Sequence, residues 1–125
     1  MSDLPKPTEA ELEILGVLWT RGPSTVRQVH EALDGTKKTG YTTALKLMQI
    51  MADKGLLRRD ESARAHIYEP VLPQAETQRR LVDDLVERAF DGSAAGLVLQ
   101  ALEKKRATPE ELDEIRALLD RMEDK

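Results

Sequence analysis

The chain has 125 residues, of which 40% are hydrophobic and 34% are charged, a composition typical of about one ordinary globular domain. It contains no cysteine, which excludes disulfides, cysteine-ligated metal sites and thiol sensing. No apolar stretch approaches the roughly 20 residues that span a bilayer, and the N-terminus lacks the apolar run of a signal peptide, so we expect a cytoplasmic protein.

The net charge of −4 is unevenly distributed along the sequence. The segment from Arg21 to Arg64 holds nine basic and five acidic residues, whereas residues 73–125 hold nine basic and thirteen acidic ones. The local field, rather than the overall charge, decides whether a surface attracts phosphate. The acidic overall charge therefore does not exclude binding of an anionic partner to the N-terminal half.

Two helices are predicted in the first 34 residues. Thr8 and Glu11 have the spacing of a capping box, and leucines at helical intervals follow until Gly22-Pro23 ends the first helix. A second, shorter helix is capped at Thr25 and runs to about Leu33. A polar turn with Lys37 and Lys38 comes next.

The third predicted helix spans about residues 41–54, with Gly55 as its C-terminal cap. At 100° per residue its apolar side chains fall on one broad side. The opposite stripe is polar, and it consists of Thr42, Lys46, Gln49 and Asp53, with Thr43 beside it.

A β-hairpin follows the third helix. Its two strands are predicted at residues 56–59 and 65–69, and Pro70 ends the second strand. The charged residues 60–64 are predicted to form the turn between them.

Three more amphipathic helices are predicted in the C-terminal part. They begin near Pro73, Ser93 and Thr108, and Pro109 suits a first helical position. With 3% aromatic residues in the chain, these helices cannot bury themselves well alone. We therefore place the boundary between two domains at 72/73, and predict that residues 73–125 form a helical dimerisation domain.

The order helix, helix, helix, hairpin within residues 1–72 is that of a winged helix-turn-helix. The predicted fold is mainly α: an N-terminal winged helix of three helices plus a β-hairpin wing, followed by a three-helix dimerisation lobe. In such motifs the second helix of the pair enters the major groove of DNA. The side chains able to contact bases or phosphates there are Lys38, Tyr41, Thr42, Thr43, Lys46, Gln49 and Arg64.

The C-terminal lobe is predicted to join two copies of the chain. A two-fold homodimer matches a two-fold, inverted-repeat operator. The apolar stripes assign the contact to Leu81, Leu85, Leu97, Leu102, Leu112, Ile115 and Leu119.

Two other functions compete with DNA binding. An enzyme would need a nucleophile, base or metal constellation, but the two histidines lie on different elements and there is no glycine-rich phosphate loop, so we predict no catalytic residue, no metal and no cofactor. A winged helix can also serve as a protein-interaction module without specific DNA binding, and the acidic composition favours that alternative.

The sequence resembles the penicillinase-repressor family, of the BlaI, MecI and CopY type, along nearly its whole length. The resemblance rests on seven segments in order, at residues 8–15 with Trp19, 22–29, 41–43 with Leu45 and Leu47, 54–57, 64–70, 90–93, and 109–112 with 115–119. It implies a homodimer that represses its target by occupying an inverted-repeat operator.

The resemblance also implies relief of repression when a membrane-bound sensor protease triggers cleavage of the dimerisation lobe. Gln100-Ala101 stands where the β-lactam repressors carry the cleaved Asn-Phe bond, so these two residues mark the candidate cleavage region while cleavage itself stays open. The copper-responsive branch of the family uses a cysteine-rich C-terminus, which this chain lacks.

Overall fold

The protein is mainly helical, as predicted. A computed structural model describes residues 5–34, 40–104 and 107–124. Along these residues the elements are α1 (Glu9–Arg21), α2 (Val26–Asp34), α3 (Tyr41–Lys54), β1 (Leu57–Asp60), β2 (Ile67–Pro70), α4 (Gln74–Ala89), α5 (Ala94–Glu103) and α6 (Pro109–Glu123). None of the described helices is both long and apolar enough to cross a bilayer.

Local capping signals set the helix ends. The Thr8 hydroxyl accepts from the Glu11 amide at 3.2 Å, and the Glu11 carboxylate accepts from the Thr8 amide at 2.9 Å. Thr108 and Glu111 repeat this capping box at the start of α6. Gly55 ends α3 in the left-handed conformation, with φ 90° and ψ 7°, which costs glycine little because it has no Cβ. The predicted caps are thus confirmed.

The strand bounds of the hairpin differ from the prediction. β1 starts at Leu57 rather than at Leu56, because the Leu56 amide donates to the Met51 carbonyl at 2.9 Å and completes the end of α3. β2 begins two residues later than predicted and includes Pro70. Proline is tolerated there because the strand ends at that residue.

A third backbone segment pairs with the hairpin. Ser24, between α1 and α2, forms an antiparallel bridge with Tyr68 through two hydrogen bonds of 3.0 and 2.8 Å. Both residues are buried. The bridge fixes the hairpin against the start of α2.

The hydrophobic core lies between α1, α2, α3 and the hairpin. The buried apolar residues are Ile14, Leu15, Leu18, Val26, Val29, Leu33, Ala44, Met48, Met51, Leu56, Leu57 and Tyr68. All of them precede α4. The faces of α1, α2 and α3 predicted to be apolar supply most of this set.

The chain divides into two compact units, Met1–Leu81 and Val82–Lys125, so the division lies within α4. In the first unit, the start of α4 is anchored by the Trp19 indole, which donates to the Leu72 carbonyl at 3.2 Å. In the second unit, no described residue is buried. The domain boundary at residue 72 stays a prediction, because a division into compact units does not show where a dimer contact begins.

A buried ion pair joins α1 to α3. The Lys54 ammonium donates to both carboxylate oxygens of Glu11, at 3.0 and 2.8 Å, and the Glu11 side chain is only 3% exposed. Burial by itself raises the pKa of Glu11, but the hydrogen bonds from Lys54 and from the Thr8 amide, together with the charge of Lys54, outweigh it and hold the pKa below its usual value.

We predict that Glu11→Gln destabilises the protein by about 1–3 kcal/mol at pH 7, because it leaves Lys54 without its counter-charge in a partly buried site. The pKa of Glu11 is lower in the folded state, so its contribution is present above the unfolded-state pKa and is lost as the pH falls through the folded-state value. Urea denaturation at pH 7 and pH 3 measures both effects.

Glu31→Gln, at an exposed position on α2, is the matched control and should leave the stability and its pH dependence unchanged. Equal curves for Glu11→Gln and wild type at pH 7 would contradict the prediction.

Candidate nucleic-acid interface

The polar stripe predicted on α3 is exposed. Thr42, Thr43, Lys46 and Gln49 all face solvent, while the opposite face of the same helix contributes Ala44, Met48 and Met51 to the core. Ile50 lies among the polar residues and is 39% exposed. The helix is therefore held by one side and presents the other.

A groove of about 680 Å³ lies beside this stripe, between the start of α2, α3 and the hairpin. Three of the predicted DNA-binding residues, Tyr41, Gln49 and Arg64, line it. Thr42, Thr43 and Lys46 are not part of its walls and belong to the open face of α3. The predicted site thus forms two adjoining surfaces, a groove and an exposed helix face. Lys38, like Lys37, lies outside the described residues.

Residues from α2 also line the groove, and the sequence reasoning missed them. Arg27 and Gln28 are on its wall, as is His66 at the start of β2. Gln28 helps to cap α2, since its side-chain oxygen accepts from the Thr25 amide at 3.0 Å. Arg27 directly follows the first residue of that helix and has an exposed side chain. The sequence did offer a signal for Arg27, since this residue lies away from the apolar face of α2.

An aromatic contact holds the first residue of α3. The rings of His30 and Tyr41 are 5.9 Å apart and nearly perpendicular, at 85°. Gly40, which caps α3, supplies no side-chain hydrogen bond to the helix start. The edge-to-face contact between Tyr41 and His30 of α2 therefore restrains the start of α3, which has no side-chain cap.

The charges of the hairpin are largely paired within it. Arg58 donates to Glu69 at 2.8 Å, across the strand pair, and Arg59 donates to Glu61 at 2.6 Å. Hydrogen bonds with Tyr68 and then Glu61 raise the pKa of Arg59, so it stays fully charged. Arg64 is different, because it is exposed and has no ion-pair partner among the described residues.

The predicted dimer residues lie at the surface of this chain. Leu85 and Leu119 are 47% and 52% exposed. The others are half-buried, and they are Leu81, Leu97, Leu102, Leu112 and Ile115. Further large apolar side chains of the second unit are exposed beside them in sequence, namely Val82, Val98, Leu99, Leu118 and Met122. Gln100 and Ala101 are exposed within α5.

Comparison with known proteins identifies the family. The profile described as Penicillinase repressor matches residues 7–121. The transcriptional regulator BlaI of Mycobacterium tuberculosis is 34% identical, over 98% of this chain and 89% of its own length. The penicillinase repressor of Bacillus licheniformis is 23% identical, over 96% of this chain and 94% of its own length.

A solved structure shares the fold of the N-terminal part. It is the solution structure of monomeric Bacillus licheniformis BlaI in complex with the blaP half-operator, with a TM-score of 0.53 and 24% identity. The match covers 61% of this chain and 93% of that one. The winged helix inferred from the element order is confirmed by this likeness, and the profile match over nearly the full length shows that this chain belongs to the penicillinase repressor family.

Proposed function

We propose that this chain is a transcriptional repressor that binds an inverted-repeat DNA operator as a homodimer and has no enzymatic activity. The observation that carries the proposal is the exposed polar face of α3, whose opposite face is locked into the core. Its relatives are transcriptional regulators and repressors, and the BlaI structure with the same fold was determined on a half-operator. A protein acting on chromosomal DNA would work in the cytoplasm.

The proposed roles divide between the open face and the groove. Thr42 and Thr43, in the first turn of α3, suit phosphate contacts or the methyl group of thymine. Lys46 and Gln49 lie one and two turns further on, where they suit guanine and adenine edges. This assignment puts base reading on α3 and backbone contacts on its flanks.

The proposed homodimer rests on a contrast between the two units. Among the described residues, every buried apolar residue belongs to the first unit, whereas the second leaves seven large apolar side chains at least 44% exposed. Exposed apolar side chains in this number suit an interaction site. A second copy of the chain is the partner that a two-fold operator requires.

Proteolytic relief remains part of the proposal. Gln100 and Ala101 are exposed in α5, which has no buried residue within the single chain, so the position is accessible to a protease in the single chain. Cleavage there would remove α6 from the dimer lobe. A membrane-bound sensor protease would be the partner that starts this event.

We expect Lys46→Ala to weaken operator binding by about 1–3 kcal/mol, roughly 5- to 150-fold, because the ammonium group would contact a base edge. Thr43→Ala should also weaken binding, with a smaller effect. Gel shifts with the DNA upstream of the protein's own gene, against an unrelated duplex, measure both affinities.

Thr20→Ala and Lys104→Ala are the controls, because they remove the same groups from exposed positions outside α3. The assignment of α3 fails if Lys46→Ala and Thr43→Ala both bind the upstream DNA as wild type does. A wild-type protein that binds neither duplex would favour the protein-interaction alternative.

Leu119→Glu should convert the dimer into a monomer, because it places a charge among exposed apolar residues that a partner would bury. Operator affinity should then fall by about 100-fold or more, since the second half-site loses its effective concentration. Sedimentation velocity at micromolar protein measures the oligomeric state.

The matched control is Arg121→Glu, which adds the same side chain to an exposed polar position of α6. The homodimer is ruled out if the wild-type protein sediments as a monomer and still binds the operator with full affinity.

A further inference from the structure

The groove beside α3 carries positive charge on two separate walls. Arg27 lies on the wall formed by α2, and Arg64 lies on the wall formed by the hairpin. The two residues are 37 positions apart in sequence, and folding brings them to one groove. Both side chains are exposed.

Neither arginine has an ion-pair partner among the described residues. Several other arginines are paired with neighbouring carboxylates, as Arg58 is with Glu69 and Arg88 is with Asp84. A guanidinium group already paired within the protein must give up that partner before it can bind an external anion. Arg27 and Arg64 would not have to break an ion pair with any described residue before binding an external anion.

No carboxylate is present among the described residues that line this groove. Three other grooves at the protein surface each have at least one acidic residue in their walls: Glu13 in one, Glu103 in another, and Asp60 with Glu69 in the third. In a chain with 23 acidic residues, this groove combines two arginines with no acidic side chain among the described residues of its walls.

We propose that this groove binds the phosphodiester backbone of one DNA strand, with Arg27 contacting it from α2 and Arg64 from the hairpin. The inference rests on the proposed function and extends it by assigning α2 a direct role in affinity. The groove adjoins the exposed face of α3, so a strand seated in it would present its bases to Thr42 and Lys46. Guanidinium groups suit this task because their planar donors match phosphate oxygens.

Salt dependence of binding tests the proposal directly. Each phosphate contact contributes about 0.9 to the slope of log affinity against log salt concentration on duplex DNA. We expect Arg27→Ala and Arg64→Ala each to reduce the slope by about 0.9 per bound protomer, and the double variant to reduce it by about twice that. Affinity near 0.15 M salt should fall by about fivefold for each arginine removed.

The measurement uses the full chain and two probes, a random-sequence duplex and the DNA upstream of its own gene. A backbone contact predicts the same loss on both probes, because phosphates carry no sequence information. Arg27→Lys should retain the wild-type slope, since it keeps the charge. Arg21→Ala is the matched control, because Arg21 is an exposed arginine of the same unit that lies outside this groove.

Wild-type slopes for Arg27→Ala and Arg64→Ala would overturn this inference and leave the repressor proposal intact. A loss confined to the upstream DNA would also overturn it, because that result indicates base contact. A wild-type protein that binds neither probe would overturn the proposed function together with the inference.

Discussion

The structure depends on how α3 is held, because this helix is packed into the core by one face and exposes the other. Ala44, Met48 and Met51 bury one face, and the ion pair between Lys54 and Glu11 fastens its end to α1. The left-handed Gly55 then turns the chain directly into the hairpin. The exposed face is thereby fixed relative to both its neighbouring helix and its wing.

Charge is organised by pairing rather than by overall composition. The hairpin neutralises Arg58 and Arg59 with its own glutamates, and α4 pairs Arg88 with Asp84. Arg27 and Arg64, which line the groove beside α3, have no ion-pair partner among the described residues. A protein with a net charge of −4 can therefore offer a local positive surface, because screening limits the reach of distant acidic residues to about 10 Å in ordinary buffer.

The two units differ in how much of their apolar surface they bury. The first unit encloses a core of twelve apolar residues, so its own sequence suffices to hold α1, α2, α3 and the hairpin together. The second unit leaves Leu99 and Met122 more than 60% exposed and buries none of its described residues. Since burial of apolar surface is the main favourable term in folding, the second unit would gain more than the first from contact with a partner.

Features that depend on neighbours within a few residues could be predicted from the sequence alone. The capping boxes at Thr8 and Thr108, the end of α3 at Gly55, and the element order were all readable, because caps and helix periodicity are local. Packing between separate elements was needed to show that Ser24 pairs with Tyr68, that Glu11 binds Lys54, and that Arg27 and Arg64 line one groove. The members of each pair are 37 to 44 positions apart in the sequence. No periodicity encodes their proximity, because it depends on how the elements pack against one another.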